Sequence, residues 1–384
     1  SEESVLLAAL DLLGKRATVD EFDSALEVLK PFLGGEESLS REAAAKALND
    51  LSGNERIADV SIAQGFVGHW MVVGPFLNDN KNTGTTKVYP PELQEDAERN
   101  ANEIFDEILE REQFDVVEDC AAKLSVYMIA QLVGVPREDI GAIRDWTRRI
   151  SEYDGTVFFI NEARPDLERI VFDVNDEMQE YFVDKVDDRL KDPRDDVLTQ
   201  LVQSGLSRHE AISFAKILVI AGNETTMSSI AHMVRLLIDC PDQQQILRDN
   251  PELIQNTVDE VLRFAPVLRG IGRHAKEDHE WHGVEIKQGD WIYGWIAAAN
   301  RDPDFVERPD EFDLTREQKR HLTFGHGIHA CLGNALSRLE MSVFLETLLK
   351  RTRAIERVSD VGMEYVPSPT ANIMRHQYVR FHVA

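Results

Sequence analysis

One cysteine sits between glycines in the stretch Phe324-Gly325-His326-Gly327-Ile328-His329-Ala330-Cys331-Leu332-Gly333. A helix pattern follows at once, from about Leu332 through Arg338 and Glu340 to Leu349. Gly325 and Gly327 have access to backbone angles closed to other residues, so the chain can wrap tightly around one sulfur. The spacing predicts Cys331 at a helix N-terminus, where free N–H groups and the positive dipole end favour a thiolate over a thiol. A thiolate fixed by a rigid loop is what an iron requires of an axial ligand. The competing reading is a buried, inert cysteine beside a turn, since free cysteine is among the most buried residue types.

A second constraint is a helix expected from Ser207 to about Cys240. Ser207 and Glu210 have the form of a capping box, Leu206 can staple to Ala211, and Pro241 ends the run. At 1.5 Å per residue it would be about 50 Å long. In its middle lies Ala221-Gly222-Asn223-Glu224-Thr225-Thr226, inside an otherwise apolar sequence. Glycine there costs ~1 kcal/mol of helix propensity, and buried polar side chains cost more unless paired. Such a string marks either a site or a place where another helix crosses. A third constraint is Glu260-Val261-Leu262-Arg263, whose acid and base share one helix face.

The remaining composition narrows the class. The chain has 384 residues, 43% of them hydrophobic, enough for a sizeable core. No apolar run reaches the ~18 to 20 residues of a membrane span. Ser1-Glu2-Glu3 lacks the basic start of a signal peptide. Cys120, Cys240 and Cys331 are odd in number and far apart, which suggests a reducing, cytoplasmic setting. A net charge of −27 argues against nucleic acid and anionic membrane surfaces as partners.

Together these motifs resemble those of the cytochrome P-450 family. The cysteine stretch fills every fixed position of F-G-x-G-x-H-x-C-x-G. The polar string fits the family's A-G-x-[DE]-T-[TS], and Glu260 with Arg263 fits its E-x-x-R. Roughly a hundred residues separate Thr225 from Cys331, as in bacterial members. The resemblance runs from about residue 95 to the C-terminus. It implies a mainly α fold with a long distal helix over a haem and small β regions.

The resemblance also assigns residues. It makes Cys331 the proximal iron ligand, in a loop that includes Gly325 and Gly333, with His329 and Arg273 on the haem propionates and Phe324 against the haem. Gly222 would let the distal helix open beside the iron. Thr225 would offer a hydroxyl to the activated dioxygen, and Glu224 would feed protons toward it. Glu260, Arg263 and Arg316 would form a structural trio bracing the cysteine loop, and residues Val267 to Gly272 would face the substrate.

Ahead of that region the sequence reads differently. Residues 1–64 carry short helix patterns that weakly resemble a HEAT-type repeat, and 65–94 read as a strand and loop segment in which Val88-Tyr89-Pro90-Pro91-Glu92 is extended. The His-x-x-x-Arg string that family members carry before this point, on propionate-binding residues, is not found in 1–94. The chain is therefore expected to be a P-450 core, 95–384, lacking its usual N-terminal part and joined to a foreign-looking segment.

The function expected is a haem b monooxygenase. It would insert one oxygen atom of O2 into a small apolar organic substrate, with electrons from NAD(P)H through a ferredoxin. The alternative is a non-catalytic or defective haem-binding fusion whose N-terminal helical module is an interaction segment.

Overall fold

A computed structural model describes residues 91–157, 165–317, 321–326, 329–358, 361–368 and 370–384. The helical-repeat reading of 1–64 and most of the 65–94 segment lie outside these residues, as does Gly327.

The first described helix, α1, runs Pro91–Ile108. The extended conformation expected at Pro91-Glu92 is therefore corrected to helix. Proline has no N–H to lose in a first turn, and its fixed φ already suits a helix. Leu93, Ala97, Ala101, Ile104, Phe105 and Ile108 are buried at helical spacing, so one stripe of α1 faces the core.

Strand β1 (Phe114–Asp115) leads through a π-helical turn, Val116–Ala121, into α2 (Ala122–Val133). Asp115 organises this entry. Its Oδ1 accepts the Val117 and Gln377 N–H groups, both at 3.0 Å, and its Oδ2 lies 2.6 Å from His376 Nδ1. Gly134 closes α2 in the left-handed conformation, φ 96°. Helices α3 (Ile140–Val157), α4 (Pro165–Lys191) and α5 (Val197–Gln203) follow.

The long helix expected from residue 207 is α6, Arg208–Asp239. Its capping box is formed: the Glu210 N–H donates to Ser207 Oγ at 3.3 Å, and the Ser207 N–H donates to the Glu210 carboxylate at 2.7 Å. Two apolar cores meet along α6. Ala211, Ile212, Ala215 and Val219 belong to one, with α2 to α5. Met227, Ile230, Ala231, Met233 and Val234 belong to the other. The polar string 221–226 falls between them.

Beyond α6 come α7 (Pro241–Asp249) and α8 (Ile254–Phe264). Four short strands form two hairpin-like pairs: β2 (Ile271–His274) on β5 (Trp291–Gly294), and β3 (His279–Trp281) on β4 (Val284–Ile286), both antiparallel. A single turn, α9 (Ile296–Ala299), precedes the irregular stretch that carries the cysteine loop. The loop feeds α10, Asn334–Arg351. Phe105 of α1 packs edge-on against Phe344 of α10, centroids 5.4 Å apart. The chain ends in β6 (Thr352–Arg357), β7 (Glu364–Tyr365), β8 (Met374–His376) and β9 (Tyr378–Val383). A small antiparallel sheet in the order β1-β9-β6 joins the two ends of the described region, and β7 pairs with β8. The mainly α fold with small β regions is the one expected.

Candidate active site

The cysteine loop is closed by backbone hydrogen bonds across its base. The Cys331 N–H donates to the Phe324 carbonyl at 2.8 Å, and the Gly325 N–H donates to the Leu322 carbonyl at 2.8 Å. Gly325 has φ 66°, a conformation that L side chains rarely adopt. Gly333 has an ordinary φ of −79° and is the residue preceding α10. Its importance is position: its N–H, with that of Asn334, is directed at the Cys331 sulfur.

One expectation is corrected here. Cys331 lies two residues before the helix cap, and its thiol is pushed above the ordinary range rather than below it. Burial is the larger effect and disfavours the thiolate. The Gly333 and Asn334 N–H groups, and then the Arg338 charge, oppose it without winning. A bound cation at the sulfur would reverse this balance, because a coordinating thiol is deprotonated outright.

The trio expected behind the loop is assembled. Glu260 is fully buried on α8 and accepts from Arg263 Nη2 at 2.7 Å and Nε at 2.8 Å. It also accepts from Arg316 Nε at 3.2 Å and from the Asp313 N–H at 3.1 Å. Arg263 spends its remaining donors on the carbonyls of Asn300, Pro309 and Glu311, at 3.2, 2.9 and 3.2 Å. Arg316 reaches the carbonyls of Arg308 and Glu311. Every lobe of the trio thus ends on backbone, and the 300–316 segment is fixed in place.

Two residues that the motifs did not single out transmit this order to the loop. Asn300 Oδ1 accepts the Leu322 N–H at 2.7 Å, and its Nδ2 donates to Thr323 Oγ1 at 2.9 Å. The Thr323 hydroxyl donates to the Leu262 carbonyl at 2.7 Å. Asn300 and Thr323 are polar residues in loop-like sequence, and only the folded chain brings them together.

On α6 the structure separates the roles proposed for the polar string. The helix is unbroken from Arg208 to Asp239, so the expected opening at Gly222 is not seen. Gly222 is instead where α2 crosses: a Cβ there would lie 2.8 Å from Ile129 Cδ1. Asn223 is buried and ties three helices, with Ser125 Oγ at 2.9 Å from its Oδ1 and its Nδ2 donating to Thr147 Oγ1 at 2.7 Å. The Thr225 hydroxyl donates to the Ala221 carbonyl at 2.8 Å, which leaves its oxygen free to accept.

Glu224 turns toward α3 and meets the hydroxyls of Thr147 and Ser151. Burial pushes its carboxyl above the ordinary range. Those hydroxyls and the nearby Arg144 pull the other way, and Glu118 adds to the rise. Glu118 and Arg144 also line an open cavity of about 370 Å³ together with Lys123, Tyr127 and Arg148.

The residues expected on the haem edge are less constrained. Arg273 is exposed on β2 and donates only to the neighbouring Gly272 carbonyl, at 2.7 Å. Neither Arg273 nor His329 forms an ion pair with a carboxylate among the described residues. Leu322 and Leu332, on either side of the loop, are 45% and 48% exposed. Leu268 and Ile271 are exposed as well, whereas Val267 is buried and Arg269 is held by the Ser368 carbonyl and Asn372. A sulfur in a loop flanked by uncovered Leu322 and Leu332 fits a flat apolar macrocycle, and the exposed Arg273 has donors to offer carboxylates on it.

The chain belongs to the cytochrome P450 family, whose profile matches residues 142–364. It is 34% identical over 287 residues to the biotin biosynthesis cytochrome P450 of Bacillus subtilis (strain 168), covering 74% of this chain and 70% of that protein. It is 36% identical over 272 residues to cytochrome P450 109 of Bacillus spizizenii, covering 69% and 67%. In structure it is similar to P450BioI in complex with an acyl carrier protein ligated to hexadec-9Z-enoic acid: TM-score 0.73, 31% identity, 81% of this chain and 78% of that one. CYP109E1 from Bacillus megaterium, in complex with testosterone, matches with a TM-score of 0.69 at 28% identity, covering 76% and 79%.

The family fixes the general chemistry: this is a haem b oxidoreductase of the monooxygenase class. No helix among the described residues is long and apolar enough to cross a membrane.

Proposed function

We propose that the chain hydroxylates a small apolar substrate, with Cys331 as the iron's thiolate ligand and Thr225 and Glu224 handling protons. The balance is one O2, one NAD(P)H and one proton consumed, with one oxygen atom entering a C–H bond and the other leaving as water. Haem bound to a thiolate supplies the reductive activation of dioxygen. The observation that carries this reading is the half-buried Cys331 sulfur, held by the Phe324 carbonyl at its own N–H and faced by the Gly333 and Asn334 N–H groups.

The chain's own residues then divide the work. Arg273 and His329 hold the propionates, Arg273 through charge-assisted hydrogen bonds. Thr225 accepts a hydrogen bond on the oxygen that its own back-bond to Ala221 orients. Burial raises the Glu224 carboxyl above its ordinary range and so favours its protonated form, and Thr147 and Ser151 hold it.

Uncovered Leu268 and Ile271, beside buried Val267, favour an apolar substrate. Hexadec-9Z-enoic acid and testosterone, bound by the similar structures, are of that class. Electrons from NAD(P)H are proposed to arrive through a ferredoxin. The three cysteines are free, in keeping with a reducing cytoplasm.

The test is a carbon monoxide spectrum of the reduced holoprotein. A strongly red-shifted Soret band is expected, and its absence refutes thiolate ligation. Titration with hexadec-9Z-enoic acid and with testosterone should shift the iron spin state. No shift with either would count against the substrate class, and NADH consumption without product would count against the monooxygenation.

A further inference from the structure

Arg338 stands one turn into α10 from the cysteine loop. Its Nε and Nη2 both donate to Asp259 Oδ1, at 2.9 and 2.6 Å, and its Nη1 donates to Asn334 Oδ1. Its guanidinium carbon lies 4.7 Å from the centre of the Phe324 ring. Phe324 is the residue whose carbonyl accepts the Cys331 N–H. Asn334 is one of the two residues whose N–H faces the sulfur. Arg338 therefore touches both ends of the sulfur's surroundings.

His321 closes the cluster. Its Nε2 is 3.6 Å from Asp259 Oδ1, its ring is 5.9 Å from Phe324, and the Thr323 N–H donates to its Nδ1 at 3.3 Å. The cluster is not the Glu260 trio. That trio is sealed in protein and ends on backbone, whereas the Arg338 and Asp259 side chains are 28% and 31% exposed and lie against the loop itself. The charge of Arg338 is close enough to be felt at the sulfur, where its positive field opposes the effect of burial, and Asp259 is bonded directly to that guanidinium.

We propose that Arg338 and Asp259 are positioning residues that set the reduction potential of the haem iron, Arg338 raising it and Asp259 lowering it. The proposal rests on Cys331 being the axial ligand. Reduction adds one electron to the iron–thiolate unit, so a nearby cation stabilises the reduced state and a nearby anion the oxidised one. Partial burial keeps solvent from screening either charge completely. Because the two are paired, each masks the other in the intact protein, and removing one exposes the field of its partner.

The experiment is an anaerobic potentiometric titration of the full-length holoprotein and of Arg338→Gln, Arg338→Lys and Asp259→Asn, each checked by its carbon monoxide spectrum. Arg338→Gln should shift the potential down and Asp259→Asn should shift it up. Arg338→Lys should lie between the wild type and Arg338→Gln, because it keeps the charge but loses the planar contact with Phe324. A purely mechanical brace would move both neutralising variants the same way or neither, and either result overturns the proposal. If Arg338→Gln fails to bind haem, Asp259→Asn decides alone: an upward shift supports the proposal, and no shift or a downward one overturns it. A wild-type protein without the thiolate band would overturn the ligation reading and this inference with it. A normal wild-type band with unmoved potentials overturns this inference only.

Discussion

The two sides of the candidate site treat their buried acids in opposite ways. Behind the cysteine loop, Glu260 accepts from two guanidinium groups and a backbone N–H. On α6, Glu224 meets hydroxyls, and the nearby Arg144 is itself paired with Glu118. A carboxylate gripped by two guanidinium groups is held rigidly in place. One held by hydroxyls can take or give up a proton with little rearrangement. Glu260 is thereby placed to hold the segment behind the cysteine loop still. Burial acts on both, and the difference lies in what offsets it: guanidinium groups at Glu260, hydroxyls and the charge of Arg144 at Glu224.

The largest effect tests the ligand that the rigid side holds. Cys331→Ala should abolish the red-shifted Soret band of the reduced carbon monoxide complex. Cys120 is buried elsewhere with its thiol raised well above the usual range, and it cannot substitute. Survival of the band would end the assignment.

Next comes the rigid acid. Glu260→Ala strands Arg263 without its carboxylate at 2% exposure. Breaking one side of a buried ion pair costs about 3–5 kcal/mol. Denaturant unfolding should show a loss of that size, with weakened haem retention. A loss below ~1 kcal/mol would show that the carbonyl partners of Arg263 suffice without Glu260.

On the distal side the effects should fall on chemistry and spare the fold. Thr225→Ala should leave haem content intact and divert reducing equivalents to hydrogen peroxide, read as peroxide formed per NADH consumed. Unchanged coupling would move attention to Thr226, which is buried one residue on.

The smallest effect reads the Glu224 carboxyl by pH. The folded-state pKa of Glu224 is raised above its ordinary 4.5, so the folded chain holds this proton more tightly than the unfolded chain does. Stability from this group is therefore greatest below about 4.5 and falls as pH climbs from there through the folded value. Glu224→Gln cannot ionise and should lose that slope, becoming more stable than the parent on the alkaline side. An identical pH–stability curve for parent and variant would show that Glu224 is not held protonated.

His232, further along α6, gives the opposite sign. Burial lowers it to about 4, so stability is lost as pH falls from 6.5 toward that value. His232→Gln should flatten that acid limb, provided the hydrogen bond to the Asn372 carbonyl at 2.8 Å can be replaced by the amide.

The legible parts of the site were those in which chemistry forces a local string. A cysteine loop needs glycine at Gly325 because the backbone there is left-handed, and that requirement shows in sequence. A capping box at Ser207 and Glu210 and a stop at Pro241 bound α6 without any tertiary information. Glu260 and Arg263 are three residues apart on one helix, so their meeting was a matter of helical geometry. Arg316 could be added only through the family resemblance, since 52 residues of chain lie between it and Arg263. Gly222 shows the same limit. A glycine in a helix shows that something comes close, but not what, and here it is Ile129 of α2.

By itself, then, the sequence determined the helices, the cysteine loop and the identity of the acids, because each depends on residues within a few turns of one another. Only the tertiary structure decided what else each acid meets: Arg316 for Glu260, hydroxyls for Glu224, and the Asp259–Arg338 pair beside the loop. Those partners come from segments tens of residues apart. Their protonation and charge balance depend on burial and on distances between helices, and no local pattern encodes either.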